Sequence, residues 1–241
     1  MPVLTDWNIS LSVEDVFRIQ HTDAEVIRKR RPGIVEMTER GVRQTQELIR
    51  PVVVYETIKV DRIQPDGIRL AGGYQLTGDF LARQLAGAEQ VVAAVCTIGS
   101  EVEKIASEKM AANKHVEGYA IDSAGIVAVG KIADKFFSSL DTDAKLNGKQ
   151  SSHRFSPGLP GWSVVQGQPE IFAILEKINS SVDLCPSMQM VPIKSLSFVV
   201  GIGENLVRKG NECAYCGLRD YCTYRAEHDS ALAGKACLHN S

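Results

Sequence analysis

Ten residues, His153-Arg154-Phe155-Ser156-Pro157-Gly158-Leu159-Pro160-Gly161-Trp162, restrict their own backbone more than any other stretch of the chain. Pro157 and Pro160 fix φ at about −65°, whereas Gly158 and Gly161 open conformations closed to other residues. The segment reads as a loop of defined shape, able to hold side chains in place without regular structure. An arginine so held suits a carboxylate or phosphate, because its planar fork makes two parallel charge-assisted hydrogen bonds. Trp162 offers a flat partner to an adenine ring or a cation. A helix is expected next, over about 168–179, carrying Ile171, Phe172, Leu175 and Ile178.

The pattern around this loop is that of an α+β protein. Ser12 caps a first helix through Val13, Val16, Phe17 and Ile19; a second runs from about Asp23 to the break at Pro32-Gly33, and a third ends before Pro51. Val52-Val53-Val54-Tyr55 and Ile58-Lys59-Val60 precede the turn sequence Pro65-Asp66-Gly67, with Ile68-Arg69-Leu70 beyond it, so a hairpin or meander is expected. A short helix over 78–87 leads to Val91–Val95, apolar on both faces and therefore a central strand. Thr97-Ile98-Gly99-Ser100 opens a helix in which Ser100 and Glu103 have the spacing of a capping box. Residues 116–140 read as a helix whose small-residue face (Ala120, Ala124, Gly125, Ala128) packs closely on the sheet, and 138–150 as a polar connection. Ile193–Ile202 alternates as a strand with one buried face. Gly201-Ile202-Gly203 lacks the third glycine and crossover helix of a dinucleotide site. The expected architecture is a twisted, mainly antiparallel sheet (52–60, 68–76, 91–96, 193–202) flanked by helices. The chain divides into a helical segment 1–50, a core 51–205 and a cysteine-rich tail 206–241.

Composition narrows the partners. The 27 Lys+Arg against 29 Asp+Glu leave a net charge of −2, which removes the global electrostatic case for nucleic acid or an anionic membrane. The run Arg28-Lys29-Arg30-Arg31 reads as a solvated helix face. No stretch approaches the ~18 unbroken apolar residues of a membrane span, and Met1–Asp6 has no basic start followed by an apolar run, so a cytoplasmic protein is expected. Four of the six cysteines, Cys213, Cys216, Cys222 and Cys237, cluster as C-x2-C-x5-C-x14-C. In a reducing compartment such a cluster points to an iron–sulfur group, to structural zinc, or to unliganded redox thiols. The Cys213/Cys216 pair is the specific part; His228 or His239 could replace Cys237 as fourth ligand. Cys96 and Cys185 read as packed or partly buried thiols.

Arg154-x-Ser156-Pro157-Gly158, followed by Trp162 and a helix, resembles the S-adenosylmethionine-binding loop of the activation (reactivation) domain of cobalamin-dependent methionine synthase, in particular its freestanding bacterial forms. The likeness extends to Val92–Glu101, to Ile121-Asp122-Ser123-Ala124 in an Ala-rich helix, and to Met190–Gly203 with its Pro-x-Lys-Ser-x-Ser strand. It covers roughly residues 50–205 and leaves out the tail. Leu159 departs from the Tyr that the full-length enzymes carry after the Gly. The resemblance implies binding of S-adenosylmethionine and reductive remethylation of a corrinoid, one electron and one methyl group restoring methylcobalamin from the inactive Co(II) state. The corrinoid would be carried by a partner such as methionine synthase or another corrinoid methyltransferase, because none of His21, His115, His153, His228 and His239 lies in the Asp-x-His-x-x-Gly motif that ligates cobalt. By the same resemblance Arg154 would hold the ligand's carboxylate, Ser156, Pro157 and Gly158 would line the nucleoside or methionine portion beside Trp162, and Glu117 or Asp122 would neutralise its amino group. An iron–sulfur tail would suit electron delivery beside such a site, from a separate electron donor. The rival expectation is a metal-binding redox or scaffold protein in which the S-adenosylmethionine site is vestigial and the tail does the work.

Overall fold

A computed structural model of the chain describes residues 3–176 and 181–208. After β1 (Val3–Leu4) come α1 (Val13–Ile19), α2 (Ala24–Arg30) and α3 (Pro32–Leu48). Ser12 caps α1 in a reciprocal capping box with Asp15. Pro32 does not only break the chain; it occupies the first turn of α3, where its missing N–H has no intrahelical partner to lose. β2 (Val52–Gln64) then turns at Gly67 into β3 (Gly67–Leu70). The single strand expected over 68–76 is broken, because Gly72 and Gly73 adopt φ of 78° and 84° in a 3-10 turn before β4 (Gln75–Thr77).

The remaining elements are α4 (Asp79–Gln84), β5 (Gln90–Thr97), α5 (Glu101–Ala111), α6 (His115–Leu146), β6 (Gln150–Ser151), α7 (Val164–Leu175), the small pair β7 (Asp183–Leu184) and β8 (Met190–Val191), and β9 (Ser195–Gly203). The main sheet runs β4-β3-β2-β5-β9-β6, with β1 beside β2, and every pairing is antiparallel. β5 is the central strand its sequence predicts. Its register runs from Val52↔Thr97 to Lys59↔Gln90 on one side and from Gln90↔Ile202 to Thr97↔Ser195 on the other.

Alternation along β5 divides the core in two. Val91, Ala93 and Val95 face α4 and α7, meeting Phe80, Leu81, Ile171 and Ile174. Val92, Ala94 and Cys96 face α6, meeting Ile121, Ala128, Ile132 and Phe136. Each fully buried side chain of this size contributes about 1.5–3 kcal/mol, so the two layers hold the sheet from both faces.

Helix α6 departs from the sequence reading in two ways. It continues to Leu146 rather than stopping near 140, because Leu140 and Ala144 keep its buried stripe going while Thr142 and Asp143 face out. Its small residues serve neighbouring helices as much as the sheet: a Cβ on Gly41 of α3 would lie 2.9 Å from that of Ala120, and one on Gly125 would lie 2.9 Å from Val102 of α5. Ser100 makes no side-chain cap; the Glu103 carboxylate instead accepts the backbone N–H of Ile193 at 2.8 Å, tying α5 to the chain that enters β9. Helix α7 begins four residues earlier than expected, since the Ser163 side chain accepts the N–H of Gln166. Ile178 lies outside the described residues.

Candidate functional site

The chain leaving β6 runs along the outer edge of β9. Ser152 N–H donates to Gly201 O, the Ser152 hydroxyl accepts the Gly201 N–H, and Phe155 and Val199 exchange both backbone bonds. In such an extended stretch neighbouring side chains point to opposite faces. Phe155 therefore enters the α7-side core, edge-on to Phe80 with centroids 5.7 Å apart, and Arg154 points the other way, toward α6.

Arg154 is only 18% exposed, and its Nη2 lies 2.8 Å from Oδ1 of Asp134 on α6. Its guanidinium carbon sits 5.5 Å from the ring centroid of Phe137 and 5.7 Å from that of Phe198, so two aromatic rings fix its orientation. A cleft of about 160 Å³ opens here between α6 and β9, lined by Gly130, Ala133, Asp134, Arg154, Ser156, Leu196 and Phe198. At the foot of the same face Cys96 is buried in β5, and burial pushes its thiol up to about 12, with the Arg154 charge opposing only in part. It is a protonated packing residue, with no nucleophilic character.

Beyond Ser156 the loop closes on itself. Gly158, at φ 104°, donates its N–H to Trp162 O at 2.8 Å, and Trp162 N–H donates to Leu159 O at 3.0 Å. Pro157 packs on α7, where a Cβ on Gly167 would come within 2.9 Å of it and within 2.6 Å of the Trp162 ring. Trp162 itself corrects the sequence reading: it is fully buried, with Nε1 donating to Glu170 at 2.9 Å, and offers no open face to an adenine ring. The Glu170 carboxylate also accepts the N–H and hydroxyl of Thr77, which anchors the loop to β4. Tryptophan and glycine here form one packing unit, and a sequence does not state which ring fills the notch above a helical glycine five residues on.

The two acids expected to join Arg154 are elsewhere. Glu117 is held by Lys109 at 2.8 Å and Arg40 at 3.4 Å; the Lys109 hydrogen bond, against slight desolvation, keeps its carboxyl below the usual range. Asp122 pairs with Lys194 at 2.7 Å. At about 1.5 Å rise per residue they lie about 25 and 18 Å along the α6 axis from Asp134. Asp134 is the acid that meets Arg154, and sequence reasoning missed it. The available signal was Gly130 and Asp134, four apart and on one helix face.

Arg208 also lies against Phe137, its guanidinium carbon 5.2 Å from the ring centroid. It donates to Asp141, to the Ser151 hydroxyl and to the carbonyls of Ser151 and Ser152. The serines of the Pro-x-Lys-Ser-x-Ser strand face inward: Ser195 Oγ bonds Thr97 and Pro192 O, and Ser197 Oγ bonds Gln168. Cys213, Cys216, Cys222 and Cys237 lie outside the described residues, as do His228 and His239. Among the described residues no helix is long and apolar enough to cross a membrane.

No protein-family model matches the sequence, and no curated protein matches it. Among solved structures, the crystal structure of the MetH reactivation domain bound to AdoHcy is similar to this chain with a TM-score of 0.56 and 15% sequence identity, covering 87% of this chain and 80% of that one. At that identity the likeness is one of architecture: the chain has the α+β fold of the MetH reactivation domain, the fold that the loop and strand motifs imply.

Proposed function

We propose that the chain binds S-adenosylmethionine at the Arg154 cleft and supports reductive remethylation of a corrinoid carried by a partner protein, methionine synthase or another corrinoid methyltransferase. The observation that carries this reading is a mostly buried arginine, oriented by Phe137 and Phe198 at the wall of a cleft, in a fold whose solved neighbour holds AdoHcy. S-adenosylmethionine supplies a methyl group already activated on sulfonium. The chain's own part is therefore to bind, orient and present it, with no acid, base or nucleophile required. Arg154 holds the carboxylate, Ser156 lines the cleft, and Pro157 and Gly158 set the loop's shape. Glu117 and Asp122 have no direct part, each being committed to a cation of the fold. The reducing electron comes from a separate donor. We read the tail cysteines Cys213, Cys216, Cys222 and Cys237 as ligands of an iron–sulfur group or of zinc. The spacing supports this reading, and anaerobic purification with metal and sulfide analysis separates the two.

Calorimetry with S-adenosylmethionine on wild type and Arg154→Ala tests the central reading. Wild type should bind, and the variant should lose about 2 kcal/mol or more, as for removal of one partner of a partly buried charge pair. Absence of binding by wild type would overturn it.

A further inference from the structure

We propose that a groove at the N-terminal end of α6 docks an acidic segment of a partner protein, seating a large apolar side chain of that segment and meeting its carboxylates with Lys29, Arg30 and Arg31. At about 1.5 Å per residue, Val116 in this groove lies about 27 Å along α6 from Asp134. The groove is therefore separate from the Arg154 cleft, and the proposal does not depend on what that cleft binds.

Four helices meet at the groove. Gln20 follows α1, Ile34 and Thr38 stand on the first turns of α3, Met110 lies in the last turn of α5, and Val116 and Tyr119 open α6. The volume, about 410 Å³, falls within the ~300–1,000 Å³ of ligand-sized pockets. Val116 and Tyr119 are exposed. The polar groups of the wall are spent within the fold: the Gln20 amide donates to the Ser123 hydroxyl at 3.0 Å, and the Thr38 hydroxyl donates to Ile34 O at 2.9 Å. With those donors used, the groove suits an apolar side chain better than a polar one. A large apolar anchor seated in such a pocket is where the binding energy of protein interfaces concentrates.

The rim supplies the charge. Arg31 stands at the junction of α2 and α3, three residues before Ile34. Arg28, Lys29, Arg30 and Arg31 are all exposed, and among the described residues only Arg28 of this run has an ion pair, with Glu14. Three positive charges thus go unanswered on a chain of net charge −2. Neighbouring acids are turned away or committed. At about 100° per residue, Glu36 and Glu39 lie about 200° and 140° around α3 from Ile34. Asp23, at the opposite end of α2, accepts the N–H groups of Glu25 and Val26, and Glu117 is held by Lys109 and Arg40. Helix α2 itself buries no residue and leaves Val26 44% exposed, so this corner carries apolar and basic surface that the fold does not use. Such a patch steers an acidic partner toward it and repels a basic one. A membrane fits less well, because lipid-binding clusters carry ~4–8 cations and a bilayer takes apolar side chains that protrude, whereas this surface is concave.

The test selects a random-peptide phage library on the full chain and measures the enriched peptides by fluorescence anisotropy on wild type, Arg30→Gln/Arg31→Gln and Val116→Glu. All three positions are exposed, an acid suits the first turn of α6, and circular dichroism checks the fold. Enriched peptides should carry a large apolar residue flanked by Asp or Glu. They should bind Arg30→Gln/Arg31→Gln about fivefold more weakly and with a shallower salt dependence, and Val116→Glu at least about tenfold more weakly. Wild type should bind vesicles of phosphatidylcholine and phosphatidylserine no better than vesicles of phosphatidylcholine alone. No enrichment, enriched peptides without acids, or equal affinity for wild type and both variants would overturn the proposal. So would binding to the phosphatidylserine vesicles that Arg30→Gln/Arg31→Gln abolishes, which gives the surface to a membrane, and so would a dimer in sedimentation that Val116→Glu abolishes, which gives the groove to a second copy of the chain.

Discussion

The indole N–H of Trp162 and the hydroxyl of Thr77 converge on one carboxylate, that of Glu170, at 2.9 and 2.6 Å. A single acid on α7 thereby joins the loop to β4. Glu170→Ala would leave a buried indole donor and the Thr77 groups without partners. At about 1–3 kcal/mol for each stranded buried group, a loss of about 3 kcal/mol is expected in urea unfolding. Trp162→Phe removes the donor and leaves Glu170 its Thr77 bonds, so its hydrogen-bond loss should be smaller, about 1–2 kcal/mol. If Glu170→Ala unfolds at the wild-type midpoint, the acid does not anchor the loop.

Two helical glycines should respond in opposite senses. At Gly130 an added Cβ meets open space, so Gly130→Ala should stabilise by about 0.5–1 kcal/mol through helix propensity. Gly130→Leu should fold and yet bind S-adenosylhomocysteine at least about tenfold more weakly, because the side chain grows into the cleft. At Gly167 the Cβ would press on the Trp162 ring, and Gly167→Ala should cost about 1–3 kcal/mol. Thermal unfolding and calorimetry together read all three variants, and equal effects of alanine at both positions would contradict the packing described.

Acid should loosen the N-terminal helices first at Asp15. Burial pushes its carboxyl up, but hydrogen bonds from Lys131 and Ser12 outweigh this and hold it below the ordinary 3.8. Because the folded value is the lower one, the unfolded chain takes up the proton first as pH falls. The stabilisation is therefore full well above pH 3.8 and is lost as pH drops through that value toward the folded one. Urea midpoints of wild type and Asp15→Asn should differ at pH 6 and converge toward pH 3. A gap that stays constant over this range would exclude Asp15 as its source.

Thiol labelling should separate the two described cysteines. The Cys96 thiol, raised to about 12 by burial, should resist iodoacetamide at pH 8 until the protein is unfolded. Cys185 is lowered by its hydrogen bond with Ser187 and is partly exposed, so it should be alkylated in the native state. Peptide mass spectrometry on native and urea-treated samples distinguishes them; prompt native labelling of Cys96 would show that β5 is open to solvent.

The strands at 52–60, 91–96 and 193–202 were legible because alternation and the Pro65-Asp66-Gly67 turn are local signals. The last turns of α6 were not, since 141–147 is polar apart from Ala144 and Leu146, and only Leu140 and Ala144 mark the buried side. Arg154 stood out through the prolines and glycines around it. Its neighbours did not, because Asp134 and Phe198 are twenty and forty-four positions away and only the completed sheet brings them to one place. Ser163, a short polar residue just before an apolar run, was a cap in plain view. Trp162 misled because an aromatic in a Pro/Gly loop looks alike from sequence whether it stacks on a ligand or on its own helix.

Phe137 carries both Arg154 and Arg208 against its ring, with Asp134 and Asp141 answering the two charges from the same helix. Arg208 thus shares an aromatic support with Arg154 at the wall of the cleft. One ring braces two guanidinium groups, so loss of that ring would loosen both together.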